Sequence, residues 1–227
     1  VEALIAAFEA TGEARYLDRG DDVARQFTVT LAKAAEGQVW EHYTEDWQHD
    51  WTYNIDKPDD LFKPWGFQPG HQVEWAKLLL QLDMHRPADW HLATAKRLYD
   101  LAMTRGWDDE HGGLVYGYAP DGSFADAHKY FWVHAEAIAT AWRLYDHTGD
   151  ERYRADYDRL WSWSWDHLVD HKHGAWYRIT TREGDWVEPY KSPAGKVDYH
   201  TIGACWDVLS VCLLYTSPSP RYRSLSR

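Results

Sequence analysis

The chain has 227 residues, 44% of them hydrophobic and 26% charged, enough for one large globular domain or two small ones. Its net charge of −12, with no basic stripe, argues against nucleic acid and against anionic membrane surfaces as partners, because neutralising phosphates needs clustered Lys and Arg. No apolar run approaches the roughly 18 residues of a membrane span, and the 15 Trp and 15 Tyr suit either a core of large rings or the stacking of sugars.

From the first residue, Glu2 to Phe27 (EALIAAFEATGEARYLDRGDDVARQF) reads as an apolar helix, a TG-acid-x-RY connector and a second, amphipathic helix. The chain begins at Val1, already inside helical sequence, so an upstream segment could precede it. A Gly-aromatic stretch, GQVWEHYTEDW, follows from Gly37. In GFQPGHQVEWAKLLL the Pro69-Gly70 pair breaks the preceding structure, and His71 stands where a helix restarts. Glu74 is three residues on and shares a face with His71; alone, this pattern is only a helix with a polar first turn.

Glu74 to Ala102 repeats the two-helix rhythm with a degenerate connector, and GGLVYGYAPDG from Gly112 reads as a hairpin turning at Asp121-Gly122. AHKYFWVHAEA then leads into the third pair, Glu136 to Trp163, which carries the connector again. His167, His171 and His173 fall at the far end of its outer helix, where solvation explains them. GAWYRITTREGDW reads as a hairpin turning at Glu183-Gly184, and SPAGKVDYHTIGACW opens a fourth unit containing His200. Cys205 and Cys212 lie two helical turns apart, too far for a disulfide; they are expected as small core residues and fit a reducing, cytoplasmic location. Residues 215–227, rich in Ser, Pro and Arg, are expected to be a non-native disordered tail behind a domain of residues 1–214.

Two helices and a hairpin, repeated, cannot bury both helix faces alone and must stack side by side. The first helix of each pair is the more apolar and belongs inside; the second is the more charged and belongs outside. The expected fold is therefore all-α, an (α/α) toroid with short β-hairpins on one rim. Closing such a ring takes about six or seven pairs; this chain supplies roughly three and a half, so a truncated partial barrel is expected. The inner helices would all start on that rim, bringing His71, His134 and His200 to equivalent positions.

PGHQVEWAKLL, KYFWVHAEAIA and SPAGKVDYHTIGACW together resemble the N-acylglucosamine 2-epimerase superfamily, which includes mannose isomerase-type enzymes and cellobiose 2-epimerases; the resemblance runs from Val1 to about Leu214. It implies an (α/α)6 barrel, of which this chain would be the C-terminal part. Carried over by position, His71 and His200 resemble the family's catalytic general acid/base pair. Glu74 resembles the carboxylate that positions substrate and His71, and Trp132 the indole lining the sugar subsite. His134 stands where relatives often have Gln and would have a binding role at most. A third rim histidine and an arginine of the family would lie upstream of Val1, so the chain alone is expected to be inactive.

Moving a carbonyl between C1 and C2 of a sugar, or inverting C2, requires taking a proton from carbon and returning one, for which imidazole is suited. The expected function is a metal-independent aldose–ketose isomerase of the mannose/fructose type, acting on a small monosaccharide or disaccharide through a cis-enediolate, without cofactor or metal. Alternatives are a 2-epimerase, a glycoside hydrolase using carboxylates among Glu74, Asp126, Glu136 and Asp198, or a non-catalytic carbohydrate-binding protein. Oligomeric state is not legible.

Overall fold

The computed structural model describes residues 1–60, 62–191 and 198–216. Among them stand seven α-helices: α1 (Glu2–Thr11), α2 (Ala14–Arg25), α3 (Pro69–His85), α4 (Asp89–Gly106), α5 (Phe131–Thr148), α6 (Glu151–His167) and α7 (Tyr199–Thr216). α1 packs on α2, α3 on α4 and α5 on α6, while α3 touches α5 and α5 touches α7. Sequence predicts this division into an inner row and an outer one, and burial follows it in the third pair, though in the first, α1 buries only Ile5 and α2 buries Leu17, Gly20 and Ala24. α5 buries Phe131 and every residue from Val133 to Ala141, whereas α6 buries only Tyr153, Leu160, Trp163 and Ser164. A helix apolar on all sides needs neighbours on all sides; one with a single stripe does not.

The TG connectors explain the helix corners. Gly12 and Gly149 end α1 and α5 in the left-handed region, at φ 72° and 67°, which glycine enters without steric cost. Each donates its N–H to the carbonyl four residues back, Phe8 and Tyr145, at 2.7 Å. Thr11 and Thr148 make matching bonds, their hydroxyls donating to Ala7 O and Leu144 O and accepting from Glu13 N and Asp150 N. The corner between α3 and α4 (Arg86-Pro87-Ala88) lacks glycine. There Asp83 reaches forward from α3 and accepts from Ala88 N at 2.9 Å.

Beyond α2 the chain loosens into a π turn, Gln26–Thr30, and then tightens into a 3-10 turn, Leu31–Ala35. Three β-branched residues, Thr28, Val29 and Thr30, crowd this stretch, and Arg97 of α4 fastens it by donating to Thr28 O and Gly37 O. β1 (Gly117–Tyr118) pairs antiparallel with β2 (Phe124–Asp126) about the expected Asp121-Gly122 turn. The Glu183-Gly184 turn also forms, closed by Thr181 N on Asp185 O at 2.7 Å. Yet the strand before it, β4 (Ile179–Thr180), pairs antiparallel with β3 (Lys129–Tyr130) at the start of α5. The α5–α6 pair is thus strapped to its own beginning, as the Phe67–Tyr118 bridge straps α3–α4.

Cys205 departs from expectation: it is exposed. The buried stripe of α7 is Thr201, Ala204, Asp207 and Val211, facing the inner row, and Cys205 lies one residue, about 100°, off that stripe. α7 runs to Thr216, two residues into the expected tail; residues 217–227 and the SPAGKV part of the last motif lie outside the described residues. No helix among the described residues is long and apolar enough to cross a membrane.

Candidate active site

The N-terminal turns of α3, α5 and α7 converge. Pro69 opens α3 at a position where its missing N–H costs nothing. Gly70 follows because the Trp132 ring lies directly against it: a Cβ there would collide with that ring and come within 2.9 Å of Val133 Cγ2. The indole therefore leans on the first turn of α3 and reaches both expected histidines. Ring centroids of Trp132 lie 5.1 Å from His71, tilted 40°, and 5.4 Å from His200, tilted 38°.

Each histidine is held the same way. His71 Nδ1 is 2.7 Å from Glu41 Oε2, and His200 Nδ1 is 2.7 Å from Glu136 Oε1. A carboxylate only accepts, so Nδ1 carries the proton in both rings and Nε2 is left for other work. Glu136 is buried and also pairs with Lys77 Nζ, Oε2 to Nζ 2.6 Å, the two side chains 1% and 4% exposed. A carboxylate oxygen of Glu74, one of Glu136 and a ring nitrogen of His200 lie within 4.8 Å of one another. These three are the described residues whose donor set could hold a cation, but Lys77 already supplies positive charge to Glu136.

The charges respond accordingly. Burial pushes the His71 imidazolium toward deprotonation, but the Glu41 carboxylate, with Glu74 and Glu136 beyond it, outweighs this and raises its pKa to about 9. Because 43% of the side chain is open to water, the pair is screened and adds little to stability. Glu74 is pushed up by burial and by the neighbouring Glu136. Glu136 is drawn down despite burial, through its hydrogen bond to His200 and the charge of Lys77.

His71, Glu74, Trp132 and His200 are thus brought together; His134 is not. It is fully buried one turn into α5, accepting from Leu114 N at Nε2 (3.0 Å) and donating from Nδ1 to Tyr130 O (2.9 Å), with its ring stacked on Trp163. Neither nitrogen is free for a sugar hydroxyl. Burial depresses its pKa to about 3. Between the ordinary value and 3 the unfolded chain takes a proton that the folded chain refuses, so this group removes stability as pH falls, by up to about 1.4 kcal/mol per pH unit. In urea unfolding at pH 7 and pH 5, His134→Gln is expected to lose less stability on acidification than the parent. Equal losses would show that His134 is protonated in the fold.

Glu41 and Lys77 escape sequence reasoning, and Glu136 enters it only as a repeat marker and a hydrolase candidate. Glu136 could have been found, since it occupies in α5 the place of Glu74 in α3. Glu41 carries no such signal; it is one of three acids in WEHYTED, in an irregular segment. Of the other carboxylates weighed, Asp126 accepts from the backbone N–H and Nδ1 of His128. Beside His71 an open cavity of about 570 Å³ is lined by Phe27, Glu41, Tyr43, Trp47 and Trp75 among others.

The N-acylglucosamine 2-epimerase (GlcNAc 2-epimerase) family profile matches residues 1–204. The chain is 54% identical over 214 residues to a D-mannose isomerase of Marinomonas mediterranea, covering 94% of this chain and 54% of that protein. It is 37% identical over 217 residues to a D-mannose isomerase of Thermobifida fusca, covering 90% and 51%. A crystal structure of a D-mannose isomerase superposes with a TM-score of 0.90 at 54% identity, over 92% of this chain and 54% of that one. The chain spans about half the length of these relatives. With the profile covering nearly all the described helices and the likeness extending to the whole inner row, the chain belongs to the N-acylglucosamine 2-epimerase family.

Proposed function

We propose that this site belongs to a sugar isomerase that interconverts a mannose-type aldose with its 2-ketose by proton transfer between C2 and C1. The observation that carries the reading is the pair of histidines, each bound through Nδ1 to a glutamate and each beside the same indole. An open-chain sugar lying on Trp132 would present C1 and C2 to both Nε2 atoms.

His200 then takes the C2 proton, and the C2 electrons move into a C1–C2 double bond. His71, held as the imidazolium by Glu41, donates to the carbonyl oxygen at C1. A cis-enediol results. Loss of the O2 proton and return of a proton to C1 complete the ketose; return to C2 from the opposite face would instead invert that carbon. Glu136 fixes the His200 tautomer, and Glu74 accepts from a sugar hydroxyl. Proton transfer by a positioned base of near-neutral pKa is worth about 10²–10⁴-fold. The names of the two D-mannose isomerase relatives support mannose as substrate.

The test is incubation of the protein encoded by the complete open reading frame with D-mannose in D₂O containing EDTA, followed by NMR. Deuterium at C1 of newly formed fructose supports the isomerase. Deuterated glucose without fructose would assign a 2-epimerase, and cleavage of a mannan with inert free mannose would overturn both.

A further inference from the structure

We propose that Glu41 is the positioning residue of His71, and that Gln72 holds Glu41 in place by pairing with the backbone two residues before it. This rests on the reading of His71 as an acid/base group. Glu41 lies 30 residues from His71 along an irregular segment, so something must fix its backbone against α3. The fully buried side chain of Gln72 does so as a neighbouring strand would: Nε2 donates to Val39 O at 2.7 Å, and Oε1 accepts from Val39 N at 2.9 Å. Trp40 is 1% exposed, its ring against Phe67 and its Nε1 donating to Asp50 O at 3.0 Å. On the other side of Glu41, His42 Nε2 meets Pro64 O at 2.8 Å, and His42 O accepts from Asp50 N. The backbone is therefore tied before and after the glutamate, which leaves its side chain one approach to α3.

At the end of that approach Oε2 binds His71, while Oε1 is buried with no hydrogen-bond partner among the described residues. The carboxylate is spent on one imidazole, and Gln72, adjacent to His71 in sequence, makes the clamp part of the same helical turn. The charged groups facing His71 are Glu41, Glu74 from its own helix and Glu136 from α5. Only Glu41 is bonded to it.

Glu41→Gln keeps the shape and removes the charge, and His71 is followed by NMR titration of its ring protons alongside the pH dependence of deuterium exchange into mannose. The expected result is a His71 midpoint lowered by roughly 1–3 units, with the acid/base limb of the exchange profile moving equally and the rate down about tenfold or more. Gln72→Leu, which cuts both clamp bonds without touching a charge, is expected to lower the same midpoint by a smaller amount. An unchanged His71 midpoint in Glu41→Gln would overturn the proposal. Absence of exchange in the parent, the product of the complete open reading frame, would instead defeat the isomerase reading and leave the titration to judge the pair.

Discussion

Lys77→Met is expected to lower the stability of the fold by about 3–5 kcal/mol, the usual cost of breaking a buried ion pair from one side. The ammonium sits between α3 and α5 with 4% of its side chain exposed, 2.6 Å from a carboxylate that is 1% exposed. Water cannot replace it. Methionine fills nearly the same volume, so the loss reports the stranded Glu136 charge and not a cavity. His200 still binds the other oxygen of Glu136, and it sets the lower end of that range. The double change Lys77→Met with Glu136→Met is expected to recover much of the loss, because two packed apolar side chains need no partner. Urea unfolding followed by circular dichroism reads both. A single-variant loss below about 1 kcal/mol would mean that Glu136 takes up a proton when Lys77 is gone.

The second large effect is on chemistry. His71→Ala and His200→Ala are each expected to slow deuterium exchange by about 10²–10⁴-fold, with the double variant hardly slower than either, since groups acting in one step are not additive. His71→Ala should barely move stability, since that side chain is 43% exposed, whereas His200→Ala also takes a hydrogen bond from the buried Glu136 and should cost about 1–3 kcal/mol. An active His200→Ala protein would remove this histidine from the mechanism and leave Glu74 as the remaining base near C2.

Much of this was legible before any coordinate. The helix pairs, their inner and outer assignment, the Asp121-Gly122 hairpin and the meeting of three helix starts all follow from apolar spacing and from two copies of one connector. Those signals are local and periodic. What stayed hidden depends on contacts distant in sequence. β4 bridges Trp186 across its own turn and also pairs with β3, which fixes the start of α5, and no short pattern announces that second pairing. Glu41 meets His71 across 30 residues, on a backbone that Gln72 grips at Val39 and His42 ties at Pro64. His134 also lies in the first turn of an inner helix, yet the loop before α5 folds over it and takes Nε2 through Leu114 N. With Glu136 in the place of Glu74, Val133 falls where His71 stands and His134 is one residue, about 100°, further round the helix, which turns its ring into the core.

The two Thr-Gly corners match bond for bond, from the hydroxyl donating four residues back to the amide that returns to it. Such a corner is a transferable joint: it asks nothing of the surrounding helices beyond an end, so the loop of one hairpin can be grafted onto the other. The corner at Arg86-Pro87-Ala88 is of another kind. Its Asp83 serves Ala88 and also His91, whose other nitrogen faces Asp21 of α2. That joint is welded to the preceding hairpin, and a graft there would have to bring its neighbour along.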